Sequence, residues 1–397
     1  MKDILFLVHR IPYPPNKGDK IRSFNLLKFL AEHYRVHLGA FIDDPEDWKY
    51  RADLEELCAE VCLLPLQPTL GKIKSLSGLL TGAPLTVPYY SSGRMQSWVE
   101  QVMQGDIEAI LVFSSAMAQF VEKFDKVRRV IDFVDVDSDK WAQYAAKKSG
   151  LAKWIYSRES KKLLAYDRKQ ALVFDRSVFV SEQEAALFKR LVPEVSDRVL
   201  AVENGVDTLF FHDSGNFPNP YPAGAKILVF TGAMDYWANA DAVFWFAEQV
   251  FPLIRSRDPA AQFFIVGARP TEAVHALGQR EGITVTGSVK DIRPYLAHAN
   301  LAVAPLRIAR GIQNKVLEAM AMGKPVIVSP AAIEGIAAEG DLDVATVDSP
   351  TDWAEVAVRM LGADGAAGVS QRNREFVERR YSWGQSLSRL DAILSPA

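Results

Sequence analysis

The stretch Ala309-Arg310-Gly311-Ile312-Gln313-Asn314-Lys315-Val316-Leu317-Glu318-Ala319-Met320-Ala321-Met322-Gly323-Lys324-Pro325-Val326-Ile327-Val328 decides the reading of the whole chain. Gly311 is a flexible entry, and the pattern predicts a helix from about Gln313 to Met322. Gly323 suits the left-handed position just past its end, and Pro325 blocks continuation. Val326, Ile327 and Val328 read as a short strand buried in a parallel sheet. Ile312, Val316 and Met320 form an apolar stripe, while Asn314, Lys315 and Glu318 fall on the other side. A helix start presents unpaired N–H groups and a partial positive charge, which suits a phosphate. Lys315 adds a full charge in the first turn. Glu318, one turn on, offers two acceptor oxygens to a pair of sugar hydroxyls. The stretch reads either as a clamp for a ribose diphosphate or as a surface helix with an i,i+3 ion pair.

Upstream, strands and helices alternate. Ile227 to Phe230 reads as a strand ending at Thr231-Gly232-Ala233-Met234, where small residues admit a ligand closely. Asn239 reads as the cap of a helix from about Ala240 to Arg255. Further strands are expected at 263–267, 283–287 and 300–305, with a helix from Val289 to His298. Leu306 and Arg307 lead into the quoted stretch. This half is an open α/β sheet.

The first half repeats the plan. Ile4 to Val8 is a strand, followed by a Pro-rich loop, a helix from about Ile21 to His33 and a strand from Val36 to Phe41. In such a unit, ligands gather at the carboxyl ends of the strands. The loop lacks G-x-G-x-x-G, which weakens a dinucleotide reading. Lys17, Gly18, Asp19, Lys20 and Arg22 either approach an anionic group or belong to a solvated loop. Later strands are expected at 110–113, 130–134, 177–181 and 199–202. Asp135 and Asp137, just past the strand that carries Asp132, either contact an acceptor hydroxyl or serve as helix capping. The turn Glu203-Asn204-Gly205-Val206-Asp207 and the polar segment after it mark the domain boundary.

The chain has 397 residues, which fits two domains at roughly 150 residues each. Hydrophobic residues are 49% and charged ones 24%, a globular composition. The net charge of −3 argues against general nucleic-acid binding. No apolar run reaches the ~18 residues of a membrane span, and the run after Met1 is too short for a signal peptide. A cytoplasmic protein is expected. Cys58 and Cys62 lack the partners for a disulfide framework or a zinc site. Two segments are basic: Lys72 and Lys74 alternate with Ile73, Leu76, Leu79 and Leu80, and Trp141 to Gln170 carries eight Lys and Arg residues. Each reads either as a surface of its own domain or as peripheral membrane contact with anionic lipid.

With these residues in view, the chain resembles the retaining glycosyltransferases of family 4, with a GT-B architecture. More narrowly, it resembles the sugar transferases associated with PEP-CTERM/exosortase exopolysaccharide loci. The resemblance runs through the His9-to-Asp19 loop, Glu203-Asn204-Gly205-Val206-Asp207, Thr231-Gly232, Leu317-Glu318-Ala319-Met320-Ala321-Met322-Gly323-Lys324-Pro325-Val326 and Tyr381-Ser382-Trp383. It implies two Rossmann-like domains facing across a cleft: an acceptor domain (1–205, with a tail from about 380 to 397 packing back on it) and a donor domain (206–379). It also implies a metal-independent transfer, with no cofactor, from a nucleotide-sugar donor to a glycan or lipid-linked acceptor in exopolysaccharide biosynthesis. Donor binding would involve Gly232, Arg310, Gly311, Ile312, Gln313, Asn314, Lys315 and Glu318, with Arg307, Lys315 and Asp135 catalytic. Lys17, Gly18, Asp19, Arg22 and Asp137 would meet the acceptor.

Two departures stand out. The family's first glutamate, eight residues before Glu318, is replaced by Arg310. The Arg and Lys usual after the first strand of the donor domain are missing from Thr231-Gly232-Ala233-Met234-Asp235-Tyr236-Trp237. Arg307, Arg310 and Lys315 would then carry the positive charge. A nucleotide-sugar epimerase and a non-catalytic sugar-binding subunit are the rival readings.

Overall fold

A computed structural model of the chain describes residues 1–397 except 16–17, 147, 213–214, 310, 337–341, 363–369 and 396–397; the side chains of 68, 70, 72 and 80 are likewise outside the description. Two compact units divide it: Met1–Asn204 with Leu387–Ala397, and Gly205–Ser386.

The first unit is built on a seven-stranded sheet in the order β3-β2-β1-β4-β5-β6-β7. Its strands are β1 (Lys2–Val8), β2 (Tyr34–Ile42), β3 (Glu60–Pro65), β4 (Ile107–Phe113), β5 (Arg128–Val134), β6 (Arg176–Phe179) and β7 (Val199–Ala201). Every pairing is parallel. Ile4 to Val8 are all buried, as a strand covered on both faces requires. The expected single or double helix over 141–170 is two, Asp137–Ala146 and Gly150–Val173, split at Gly150 with φ +60°.

The second unit holds a six-stranded parallel sheet in the order β10-β9-β8-β11-β12-β13. Its strands are β8 (Lys226–Thr231), β9 (Ala261–Val266), β10 (Ile283–Gly287), β11 (Leu301–Ala304), β12 (Val326–Val328) and β13 (Val344–Thr346). In both sheets the strand order reverses once, between β1 and β4 and between β8 and β11. A crevice at the carboxyl ends beside such a switch point is where an open α/β sheet binds its ligand.

The quoted stretch forms the Asn314–Ala321 helix and then β12. Gly323 takes φ +65°, and Val316, Leu317 and Met320 are buried in the core. The helix after β8 starts earlier than expected, as Trp237–Trp245, because Asn239 turns inward instead of capping it. A wider π turn, Phe246–Val250, then leads into Phe251–Arg257. Pro252 explains that turn: it has no N–H and its ring collides with the carbonyl four residues back.

Tyr381 and Ser382 stay with the second unit. Val206 N donates to Tyr381 O at 2.6 Å, and Val206 bridges to Ser382. The chain rejoins the first unit only at Leu387. There, Tyr34 Oη donates to Asp391 Oδ1 at 2.7 Å, and Arg128 holds the Ile393 carbonyl.

Candidate functional site

The strands that flank the second switch point lead to the candidate residues. β8 runs into Gly232, and β11 leads on to the Asn314–Ala321 helix. Gly232 has φ +154°, and a Cβ there would lie 2.8 Å from Asn239 Nδ2 and 3.4 Å from Lys315 Nζ. At the end of β9, Gly267 has φ +156°; a Cβ on it would come within 1.7 Å of Gly232 O. Two neighbouring strand ends are therefore bare backbone.

Asn239, buried in the first turn of Trp237–Trp245, fixes Lys315. Its Nδ2 donates to Ala233 O at 2.9 Å, and its Oδ1 accepts from Lys315 Nζ. The ammonium also lies 4.4 Å from the centroid of the Phe230 ring, a favourable cation–π contact. Both helices thus bring their first turns to Lys315 Nζ, and neither helix start has a side-chain cap. Two positive helix ends and an ammonium form a place for a bound anion.

The electrostatics agree. Burial pushes Lys315 down to about 8, with Glu318 pulling it back only in part. Burial raises Glu318 to about 7, against the opposing pull of Lys315. Each charge is held in an environment that disfavours it, and a ligand with a diphosphate and sugar hydroxyls would relieve both.

Around this pair, Gly311 has φ +63° and Gly335 packs against its backbone, where a Cβ would meet Gly311 C at 2.4 Å. Ile312, Gln313 and Asn314 are half-buried, and Gln313 precedes the first helical residue. Arg307 is held elsewhere. Its Nε donates to Asp241 Oδ2 at 2.9 Å, and a second bond closes a fork. Asp241 is two residues beyond Asn239, about 200° around the helix, so Arg307 and Lys315 meet opposite sides of it. Arg310 and Lys17 lie outside the described residues.

In the first unit, Gly18 opens the Gly18–His33 helix, and a Cβ on it would meet nothing within 4 Å among the described residues. Asp19 accepts from Arg10 Nη1 at 2.6 Å, with His9 Nε2 3.5 Å away. Burial alone would raise its carboxyl, but the His9 hydrogen bond and the Arg10 charge hold it at about 2. Arg22 and Lys20, expected to approach an anion, point inward instead. Arg22 is buried, donating to Asp132 Oδ2 at 2.8 Å and to Asn204 Oδ1 at 2.9 Å. Lys20 is buried against Asp47 at 2.5 Å. Burial raises the Asp132 carboxyl despite Arg22. Asp135 and Asp137 converge on Lys140, at 2.7 and 3.1 Å.

The structure therefore brings together Gly232, Lys315 and Glu318, and adds Asn239. The signal for Asn239 was present: a lone amide among the apolar residues of Trp237-Ala238-Asn239-Ala240-Asp241-Ala242-Val243. A capping role explained it too readily.

Residues 225–363 match the family model described as glycosyl transferases group 1. No curated protein matches the chain. Among solved structures it is similar to sucrose-phosphate synthase from Thermosynechococcus elongatus, at a TM-score of 0.68 and 16% identity over 99% of this chain and 98% of that one. It is also similar to the Anabaena protein HepE in complex with UDP and glucose, at a TM-score of 0.64 and 15% identity over 99% of both chains. A third is WaaG, a glycosyltransferase involved in lipopolysaccharide biosynthesis, at a TM-score of 0.64 and 15% identity over 99% of this chain and 100% of that one. At such identities the likeness speaks for the fold, which is GT-B. The second unit carries a group 1 glycosyltransferase domain, and the class of activity is glycosyl transfer.

Proposed function

We propose that the chain is a retaining, metal-independent transferase that moves a sugar from a nucleotide-sugar donor to a glycan or lipid-linked acceptor. The observation that carries this reading is the meeting of two uncapped helix starts, Gly232 and the Asn239-held Lys315 ammonium, with Glu318 one turn away. In this reading the donor diphosphate sits against the helix ends and Lys315, and Glu318 accepts from the ribose hydroxyls. The bond between the sugar C1 and the phosphate oxygen breaks, and the acceptor oxygen bonds to C1 on the same face. The acceptor proton passes to the departing diphosphate. Charge on that leaving group is met by preorganised dipoles and an ammonium, the arrangement expected to supply most of the rate. Gly311, Ile312, Gln313 and Asn314 line the approach to the clamp. The first unit supplies the acceptor side, where Asp19, held ionised by His9 and Arg10, orients a hydroxyl. A role in exopolysaccharide assembly, of the kind associated with PEP-CTERM/exosortase loci, follows from the sequence resemblance.

HepE is in complex with UDP and glucose, so UDP-sugars are the first donors to try. The test is thermal-shift screening against UDP, GDP, ADP and CMP sugars, followed by donor turnover in Lys315→Ala and Glu318→Ala. A ligand that binds only the native state raises its melting point. Loss of both the shift and turnover in the two variants is expected. Wild-type turnover in both variants would overturn the assignment, and an inverted anomeric configuration in the product would overturn retention.

A further inference from the structure

Most large apolar side chains that the first unit leaves in solvent belong to three helices. Pro68–Thr81 exposes Ile73 (60%), Leu76 (58%) and Leu79. Gly150–Val173 exposes Leu151 (73%) and Trp154 (56%), and Tyr144 is exposed on the preceding Asp137–Ala146. These elements are fastened to one another. Arg158 Nη2 donates to Gly78 O at 2.5 Å and to Ala83 O at 3.1 Å. Buried Glu159 accepts from Leu85 N at 2.7 Å and from Thr86 N at 3.1 Å. Tyr144 meets Trp141 edge to face, and Tyr156 lies tilted against the same ring. Leu151, Trp154 and Arg158 are spaced by three and four, so the exposed pair continues the same face that grips the 68–81 helix.

The charge around this patch has one sign. From 147 to 162 the sequence carries six basic residues against a single acid, Glu159, and that acid is buried. The 68–81 segment has two lysines and no acid. Lys74, Lys148, Lys153, Lys161 and Lys162 are exposed, in a chain whose net charge is −3. Apolar side chains ringed by cations, with a tryptophan among them, match the interface of an anionic bilayer.

We infer that this face of the first unit docks on an anionic lipid surface, with Ile73, Leu76, Leu151 and Trp154 entering the headgroup region and the lysines meeting lipid phosphates. No helix among the described residues is long and apolar enough to cross a membrane, so attachment at this face would be peripheral.

Co-sedimentation of the full chain with phosphatidylglycerol-containing vesicles, against pure phosphatidylcholine vesicles, tests this. The wild type is expected to bind the anionic vesicles and to be released by salt. Each lysine neutralised in Lys148→Gln/Lys153→Gln/Lys161→Gln should weaken partitioning about fivefold, roughly a hundredfold together. Leu76→Ser/Trp154→Ser should weaken it as well. A melting curve for each variant confirms folding. Lys315→Ala is the control: it should lose the response to UDP and keep vesicle binding, which separates failure here from failure of the donor site. Equal binding to both vesicle types, undiminished binding of the triple variant, or self-association in place of vesicle binding would overturn the proposal.

Discussion

Nucleoside diphosphate affinity should peak in a narrow pH window bounded by two residues. The free protein holds Lys315 at about 8 and Glu318 at about 7. A bound diphosphate favours the ammonium, so Lys315 rises in the complex. Ribose hydroxyls donate to the carboxylate, so Glu318 falls. Above about pH 8 binding must take up a proton; below about pH 7 it must release one. Affinity for UDP should therefore be greatest between the two values and fall about sixfold by pH 9 and about sixfold by pH 6, since about six-tenths of the protein is competent midway and about a tenth one unit beyond either pKa. Titration calorimetry in buffers of different ionisation enthalpy reads both the affinity and the protons exchanged. Lys315→Met should lose the alkaline limb and Glu318→Gln the acid limb, each at the cost of overall affinity. A flat profile from pH 6 to 9, or limbs that persist in both variants, would refute the reasoning.

Two further outcomes concern the same pair of residues, and a third concerns the buried Arg22–Asp132 pair of the first unit. Asn239→Asp puts an anion on the Lys315 ammonium in place of an amide oxygen; the alkaline limb should move to higher pH and UDP should bind more weakly, both measured by calorimetry. Glu318→Gln should raise the melting point of the free protein at pH 8. The acid's folded value lies above its usual 4.5, so the native state disfavours the ionised form, and stability is lost as pH rises from about 4.5 through about 7. Replacing it removes that cost while shrinking the gain on adding UDP. Arg22→Leu leaves the buried Asp132 carboxylate without its cation and should cost about 3–5 kcal/mol in denaturant unfolding.

The strands were legible because buried parallel strands announce themselves: Ile4 to Val8, Ile227 to Phe230 and Val326 to Val328 are continuous apolar runs. β13 was not, since Val344–Thr346 is three residues long and partly exposed. The clamp helix was readable to within one residue at either end, from Gly323 and Pro325. Its electrostatics were not, because Lys315 is enclosed against Phe230 and Asn239, which are 85 and 76 positions from it in the sequence. The basic residues of the first helix misled for a related reason. Arg22 and Lys20 look like anion ligands by type, but their partners Asp132 and Asp47 become neighbours only once the sheet has formed. Charge count shows what a side chain can hold, and folding decides whether that capacity is already taken.

The strip from Gly205 to Ser386 is unbroken, while its companion is assembled from both ends of the polypeptide. In topological terms one globule is a guest spliced into a host. Val206 bridges to Ser382, so the guest's entry and exit strands already lie side by side. A gene fragment spanning only the guest should therefore yield a self-contained piece. The host, by contrast, needs a short spliced linker between Asn204 and Leu387 to recover its terminal helix.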